Sequence, residues 1–527
     1  MKSRIIFGIL FSYAGALYAT PEEVLVLANQ SSPKSMELAR YYLKQRGIPA
    51  GNLIALPMSD RERISRADYI EQIQVPLLKV LRDKKFISQR PRANIFKGER
   101  RIHWATSEMH FRYLVSMYGV PVRINSTKSK PLQAIQNRTG YTSQMLRRDG
   151  AAVDSELACL LLEKYDRSGI YVNPFYDGLV INNPVNGLFF ILATRLDGPA
   201  PQQVRDMIDQ SIEHDRYGLL GGAYFDILGA YPRGNYWILE SYERFKREGF
   251  ECYKNANDNT WGSEYPMYKP VVYLGWYAEH VNGPFTVEGF KMMPGAIAYH
   301  LHSFSGMKLR TDSEYWAGPL IARGASATMG CVDEPYLDQT PNLLIFSDRL
   351  LRGYNLADSM YMSMKALSWQ MTLIGDPLYQ PMKFSLEETI QHLEADKHPD
   401  LDWAYIRIIN RLVRGTQFNI AMDYCRAKIR QTGSFLLREK LADLYAANNL
   451  MTDAKSEFLK LMREATDPGF VVRCAAKSIY LAKLLQRQEE ADTIKAEALS
   501  LLKGHPTEKW LDQITVPQVP RTPDAGN

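Results

Sequence analysis

The sequence lacks most of the motifs that announce a function. It has only five cysteines, at Cys159, Cys252, Cys331, Cys425 and Cys474. Their spacing fits neither a zinc site nor a CxxC redox pair. Five is odd, so at least one thiol stays unpaired in any compartment, and a buried free thiol is the default for each. No Walker loop, GxGxxG, HExxH or GxSxG stands at a useful position. No metal or cofactor is therefore expected. Charge of one sign is scarce as well. The 64 basic and 58 acidic residues leave a formal +6, spread along the chain apart from clusters such as Lys84-Lys85 and Arg100-Arg101. That is the pattern of a solvated surface and not of a nucleic-acid footprint. Beyond the N-terminus no apolar run is long enough to span a membrane.

What is present suggests an exported protein of more than one domain. Lys2 and Arg4 precede an apolar core from Ile5 to Phe11, followed by Ala14, Gly15, Ala16 and Ala19. This reads as a signal peptide over residues 1–19, cleaved after Ala19, with Ala16 as the alternative. The expected location is the periplasm or another extracellular or envelope site, with no membrane span in the mature chain. At 527 residues the chain exceeds the roughly 250–300 at which single cores stop growing.

From Pro21 to about Phe384, strand-like and helix-like segments alternate, the order of a mostly parallel sheet covered by helices. Strands are expected at 23–28, 52–56, 113–118, 188–194, 222–228, 271–275, 296–303 and 325–330. Helices are expected at 35–46, 65–81, 155–165, from about 202, and at 237–247, 343–353 and 356–369. Residues 85–110 are basic and read as an irregular surface insertion. Residues 385–400 are charged, lack strand character and read as a linker. From 401 to 505 strand signals all but vanish. Three turns place Ala421, Ala454 and Ala491 equivalently, 33 and 37 residues apart, which brackets the 34-residue tetratricopeptide period. A small residue fits where paired helices approach closely. The expected architecture is thus an α/β domain over 20–384 and an all-α helical-repeat domain over 401–505. Residues 506–527, with their prolines, are expected to be a disordered tail.

The densest chemistry lies in Pro294–Gly306, PGAIAYHLHSFSG. An apolar run there delivers His300, His302 and Ser303 to a strand end, where open α/β sheets bind ligands. Alternation places His300 and His302 on one face, where two imidazoles near a serine can supply a base, a ligand pair or an oxyanion donor. Cys331 would be a nucleophile if a histidine lowered its pKa. Trp276, His280 and Glu334 leave neighbouring strands. Asp154 and Glu156 sit at a predicted helix start, with Asp154 or Ser155 as its cap. Arg195 and Asp197 follow a buried strand, and they either bind a carboxylate or peptide backbone or pair with each other.

The runs VPVRI (120–124), VDSEL (153–157), TRLDGP (194–199), GPF (283–285), GAIAYHLHSFS (295–305), WAGPLIARGASATMG (316–330), EPYL (334–337) and GDPLYQP (375–381) resemble an exported bacterial family found in genomes that carry the exosortase sorting system. The resemblance spans about residues 22–382 and brings no activity with it. More distantly, the strand order and the closing Gly375-Asp376-Pro377 turn resemble the gingipain-type cysteine peptidases, which implies a caspase-like fold. In those enzymes one strand ends in His-Gly and the next in the nucleophilic cysteine. Here Trp276 stands at the first position, and His302-Ser303-Phe304 at the second. The expected function is a non-catalytic or divergent caspase-like domain binding a peptide-like ligand, with the repeats holding a protein partner. One alternative is a peptidase-type hydrolase using His300 or His302 with Ser303 or Cys331. A further one is a carbohydrate-processing enzyme using Asp154, Glu156 or Asp197.

Overall fold

The computed structural model describes residues 19–96, 99–127, 148–162, 169–227, 231–257 and 259–515. The expected signal peptide, Ala19 apart, lies outside them. The strands of four or more residues, in chain order, are Val24–Asn29 (β1), Leu53–Leu56 (β2), Ile87–Phe96 (β3), Glu99–Met109 (β4), Tyr113–Met117 (β5), Leu192–Leu196 (β6), Gly222–Asp226 (β7), Glu251–Asn255 (β8), Pro270–Gly275 (β9), Ile297–His300 (β10), Thr328–Cys331 (β11) and Met371–Ile374 (β12). One sheet runs β8-β7-β9-β10 and another β11-β12-β6-β5-β1-β2. A parallel bridge between Ile297 and Ala327 joins β10 to the lead-in of β11. Within these two sheets the pairings are parallel except that of β11 with β12. The chain is thus an α/β protein with a mostly parallel sheet flanked by helices, followed by a run of helices.

Local signals account for the helix ends. Pro33–Arg46 (α1) starts where Ser32 accepts from the Ser35 N–H and Pro33 fills the first turn. It stops at Gly47, whose φ of 68° suits a residue without Cβ. Val153–Ala158 (α2) is shorter than expected and its cap position is Ala152, so neither Asp154 nor Ser155 caps it. Pro201–Tyr217 (α3) and Pro232–Arg247 (α4) lie near their expected places.

Several expectations need correction. Residues 87–109 are an antiparallel hairpin, β3 with β4; Pro91 and the density of charge hid its alternation. The strand expected at 188–194 lies at 192–196, which puts Arg195 inside it. The strand expected to reach Ser303 ends at His300, so His302 lies beyond the pleat and the shared-face argument fails. The helix expected to reach Trp369 ends at Ser363. The expected linker contains a helix, Leu386–Ala395 (α5), closed by a capping box between Ser385 and Glu388. The expected disordered tail begins as a 3-10 helix over Pro506–Gln513 with Leu511 buried; residues 516–527 lie outside the described ones.

The C-terminal helices are Leu401–Arg414 (α6), Phe418–Thr432 (α7), Phe435–Ala447 (α8), Met451–Glu464 (α9), Pro468–Leu484 (α10) and Gln488–Leu502 (α11). Ala421, Ala454 and Ala491 are each the fourth residue of α7, α9 and α11, and all three are buried. These helices also grip the sheet. Lys440 Nζ lies 2.7 Å from a Glu251 carboxylate oxygen. Asn410 donates to the Gly249 carbonyl at 2.9 Å, and Arg473 to the Tyr253 hydroxyl at 2.9 Å.

Candidate functional site

Adjacent parallel strands present their C-terminal ends side by side, and at the ends of β9, β10 and β11 the chain leaves a cavity of about 300 Å³. Trp276 and Tyr277 reach it from β9, Leu301, His302 and Ser303 from β10, and Glu334 to Leu337 from the segment after β11. Tyr231, just before α4, and Thr340 complete the wall. The rings set its shape. Tyr277 lies 4.5 Å from the His302 ring and 5.9 Å from Tyr231, and Tyr231 lies 5.6 Å from Trp276.

Trp276 is seated from behind. Its indole N–H donates to Asn235 Oδ1 at 2.8 Å. A Cβ on Gly234 would fall 2.0 Å from the Trp276 ring, so only glycine lets α4 come this close. Tyr336, on the opposite wall, holds φ at 63°, a backbone state that costs a non-glycine residue about 1–3 kcal/mol.

His302 is the histidine that faces this cavity. The residue is 6% exposed, and Nδ1 accepts a long bond from the Phe304 N–H at 3.5 Å. Among the described residues no hydrogen bond reaches its Nε2. Burial lowers its pKa, with the Glu279 and Glu334 carboxylates pulling the other way, so the ring is neutral at pH 7. Ser303 lines the cavity, and no hydrogen bond joins it to His302 among the described residues. One Glu334 carboxylate oxygen accepts from the Tyr336 N–H at 2.8 Å, leaving the other oxygen uncommitted.

His300, two residues away, is spent. It is fully buried, and its ring stacks on Trp316 at 3.6 Å. Nε2 accepts from the Ala278 N–H at 2.9 Å, so the neutral ring carries its proton on Nδ1 and donates to the Tyr273 hydroxyl at 2.9 Å. Tyr273 in turn bonds the Asp226 carboxylate. Asp226 also accepts from Asn255 Nδ2 at 2.8 Å and the Trp261 N–H at 3.3 Å. Burial pushes its pKa up to about 7 against these donors, and pushes that of His300 well below the usual imidazole range. Asp226, Tyr273 and His300 form one buried chain beneath the cavity wall. Strand-end reasoning applied to Gly222–Leu228 would have picked out Asp226. Tyr231, Tyr277 and Tyr336 carry no sequence signal that separates them from core tyrosines.

Cys331 does not reach the cavity. Its thiol is fully buried and pushed up to about 12 by that burial. Its contacts are the Ser305 hydroxyl, the Tyr299 hydroxyl at 3.9 Å and Met371 Sδ at 3.1 Å, with no histidine among them. The conditions that make a cysteine nucleophilic, exposure and a nearby positive charge, are both missing. His280 lies on the surface, half exposed, where Nδ1 accepts from the Tyr315 N–H at 3.0 Å.

The four residues read as a second polar group are buried in ion pairs. Arg195 donates to Asp154 at 2.6 Å, Asp197 at 3.0 Å and the Pro121 carbonyl at 2.9 Å. Asp197 also pairs with Arg310 at 2.9 Å, and Asp154 accepts from the Thr372 hydroxyl. Glu156 pairs with Arg66 at 2.8 Å and accepts from the Ser368 hydroxyl at 2.7 Å. None of these carboxylates lines a described cavity, so the acid/base reading for a carbohydrate enzyme falls. Of the two roles open to Arg195 and Asp197, the pairing with each other is the one formed. Among the described residues no cluster of His, Cys, Asp and Glu is arranged to hold a metal ion.

No protein family matches this chain, and no curated protein matches it. A solved structure described as "Structure of Protease" is similar over 70% of this chain and 80% of that one, at 11% sequence identity and a TM-score of 0.37. A likeness that slight carries no argument.

Proposed function

We propose that the cavity at the ends of β9, β10 and β11 binds a peptide-like ligand, and that the α/β part is a caspase-like scaffold without peptidase chemistry. The observation that supports this most is how polar atoms are allocated around the cavity. His302 Nε2, the Ser303 hydroxyl and one Glu334 oxygen are uncommitted and face an aromatic wall. A concave, largely aromatic site with a few convergent polar groups is the general form of a small-ligand pocket. A peptide offers a carbonyl oxygen for the His302 Nε2–H, an N–H group for Glu334 and an apolar side chain for Tyr277 and Trp276. Catalysis would need a base bonded to a nucleophile, and the groups present are not joined in that way.

The N-terminal segment is proposed to direct export. The helices from Leu401 are proposed to be tetratricopeptide-like repeats that hold a protein partner on surface not already occupied by β8.

The test has two arms. A fluorophosphonate probe and iodoacetamide are offered to the purified protein, and a library of short peptides is passed over it with mass-spectrometric readout. The proposal expects no labelling at Ser303 or Cys331. It also expects a set of peptides retained by the wild type and lost in Tyr277→Ala and His302→Ala. Fluorophosphonate labelling of Ser303 that disappears in His302→Ala would install the hydrolase instead. Retention unaffected by either substitution would remove the cavity as the site.

A further inference from the structure

The hairpin β3–β4 has a surface that nothing above uses. Its strands are ten and eleven residues long and pair almost wholly with each other. A two-stranded ribbon is marginal in water unless a face is covered. Its register sorts the two faces. Pro91 lies opposite Trp104 and Ala93 opposite Ile102, while Arg90 lies opposite Ala105 and Arg92 opposite His103. Residues opposite each other share a face, and successive residues alternate. Over these four pairs one face is therefore apolar, and the other carries Arg90 and Arg92. The apolar face is bare: Ile102 is 68% and Trp104 64% exposed. Arg90 and Arg92 are exposed too. The turn beside Gly187 approaches Arg92, a Cβ there standing 3.9 Å from its terminal nitrogens.

Charge makes the same stretch distinctive. Residues 84–112 hold eight lysines and arginines against two glutamates, a formal +6 equal to that of the entire chain. The charge is thus concentrated on the hairpin and its base, not evenly spread.

We propose that this hairpin docks on an anionic phospholipid surface. The occupant must be apolar to a shallow depth and negative at its rim. An acyl–headgroup boundary is both, and tryptophan favours that level. Ile102 and Trp104 would enter the boundary, and the long arginine side chains would reach back to phosphate groups. This needs no membrane-spanning helix, and none of the described helices is long and apolar enough to be one.

The test uses the chain without residues 1–18, so that the N-terminal apolar run does not contribute, and vesicles of phosphatidylcholine with or without phosphatidylglycerol. The chain is expected to co-sediment with the phosphatidylglycerol vesicles, not with phosphatidylcholine alone, and to be released by salt. The combined change Ile102→Ser and Trp104→Ser should lower partitioning at least about tenfold. Each of Arg90→Ala and Arg92→Ala should lower it about fivefold. Vesicles carrying brominated chains should quench wild-type tryptophan emission and leave Trp104→Phe unquenched, which separates docking from misfolding. The proposal is overturned by absent sedimentation, or by equal binding to both vesicle types. It is equally overturned if the serine variant binds vesicles normally but breaks up a dimer, or if duplex DNA displaces the vesicles without any effect of Trp104.

Discussion

Two polar groups that look alike as sequence end up in opposite conditions. Around Arg195, every charge is answered. Asp154 and Asp197 flank the guanidinium, and Arg310 closes the cluster. Around His302, the ring nitrogen that faces the cavity, a serine hydroxyl and a carboxylate oxygen are left open beside three tyrosines. Both groups stand at or just beyond strand ends. Position alone does not make a site; what separates the two is whether hydrogen-bonding capacity is already used.

The sharpest way to break that comparison is Arg195→Ala. It leaves Asp154 buried without its cation, and removing one partner of a buried pair costs about 3–5 kcal/mol. The denaturant midpoint should fall accordingly. A loss under about 1 kcal/mol would mean the cluster is hydrated and belongs with the cavity.

Asp226 comes next. Its carboxyl titrates near 7 in the fold and near 3.9 when unfolded. The folded state therefore holds the proton more tightly, and the stability this confers is full below pH 4 and lost as pH rises through 7. The loss is on the order of 4 kcal/mol across that window. Thermal melts from pH 4 to 8 should show the decline in the wild type and a flatter profile in Asp226→Asn. An unchanged slope in the variant would assign the titration elsewhere.

A smaller effect is expected from Gly234→Ala, whose new methyl would meet the Trp276 ring. Overpacking of this kind costs about 1–3 kcal/mol. Tryptophan emission should shift, and peptide retention should drop with it. If retention survives, Trp276 does not shape the site. The smallest effect belongs to His302→Gln, expected to change stability by less than about 1 kcal/mol while removing ligand retention. A large stability loss there would make His302 a structural residue like His300.

How much of this was legible in the sequence follows from the range of each cause. The strands 24–29, 53–56 and 113–117 and the helix 33–46 were readable because caps, glycine stops and apolar runs are local. The equivalence of Ala421, Ala454 and Ala491 was readable because a repeat compares the chain with itself. The hairpin at 87–109 was missed because its apolar alternation is diluted by basic residues that solvent tolerates. His300 and His302 could not be told apart, because the difference lies in Tyr273, Ala278 and Trp316, which are distant in sequence or carried on another element. Arg195 and Asp154 are 41 residues apart, and no spacing rule links them. The Trp276–Gly234 contact is of the same kind.

The grip of the C-terminal helices on β8 has a consequence for solubility. Among the described residues β8 is an edge strand, and Glu251 and Tyr253, which share one face of it, are held from above by Lys440, Asn410 and Arg473. The helices therefore cover this face of the sheet, and removing them would open its aromatic and charged side chains to other copies of the chain. A chain ended near residue 384 should scatter light and precipitate, although every residue of the cavity would still be present.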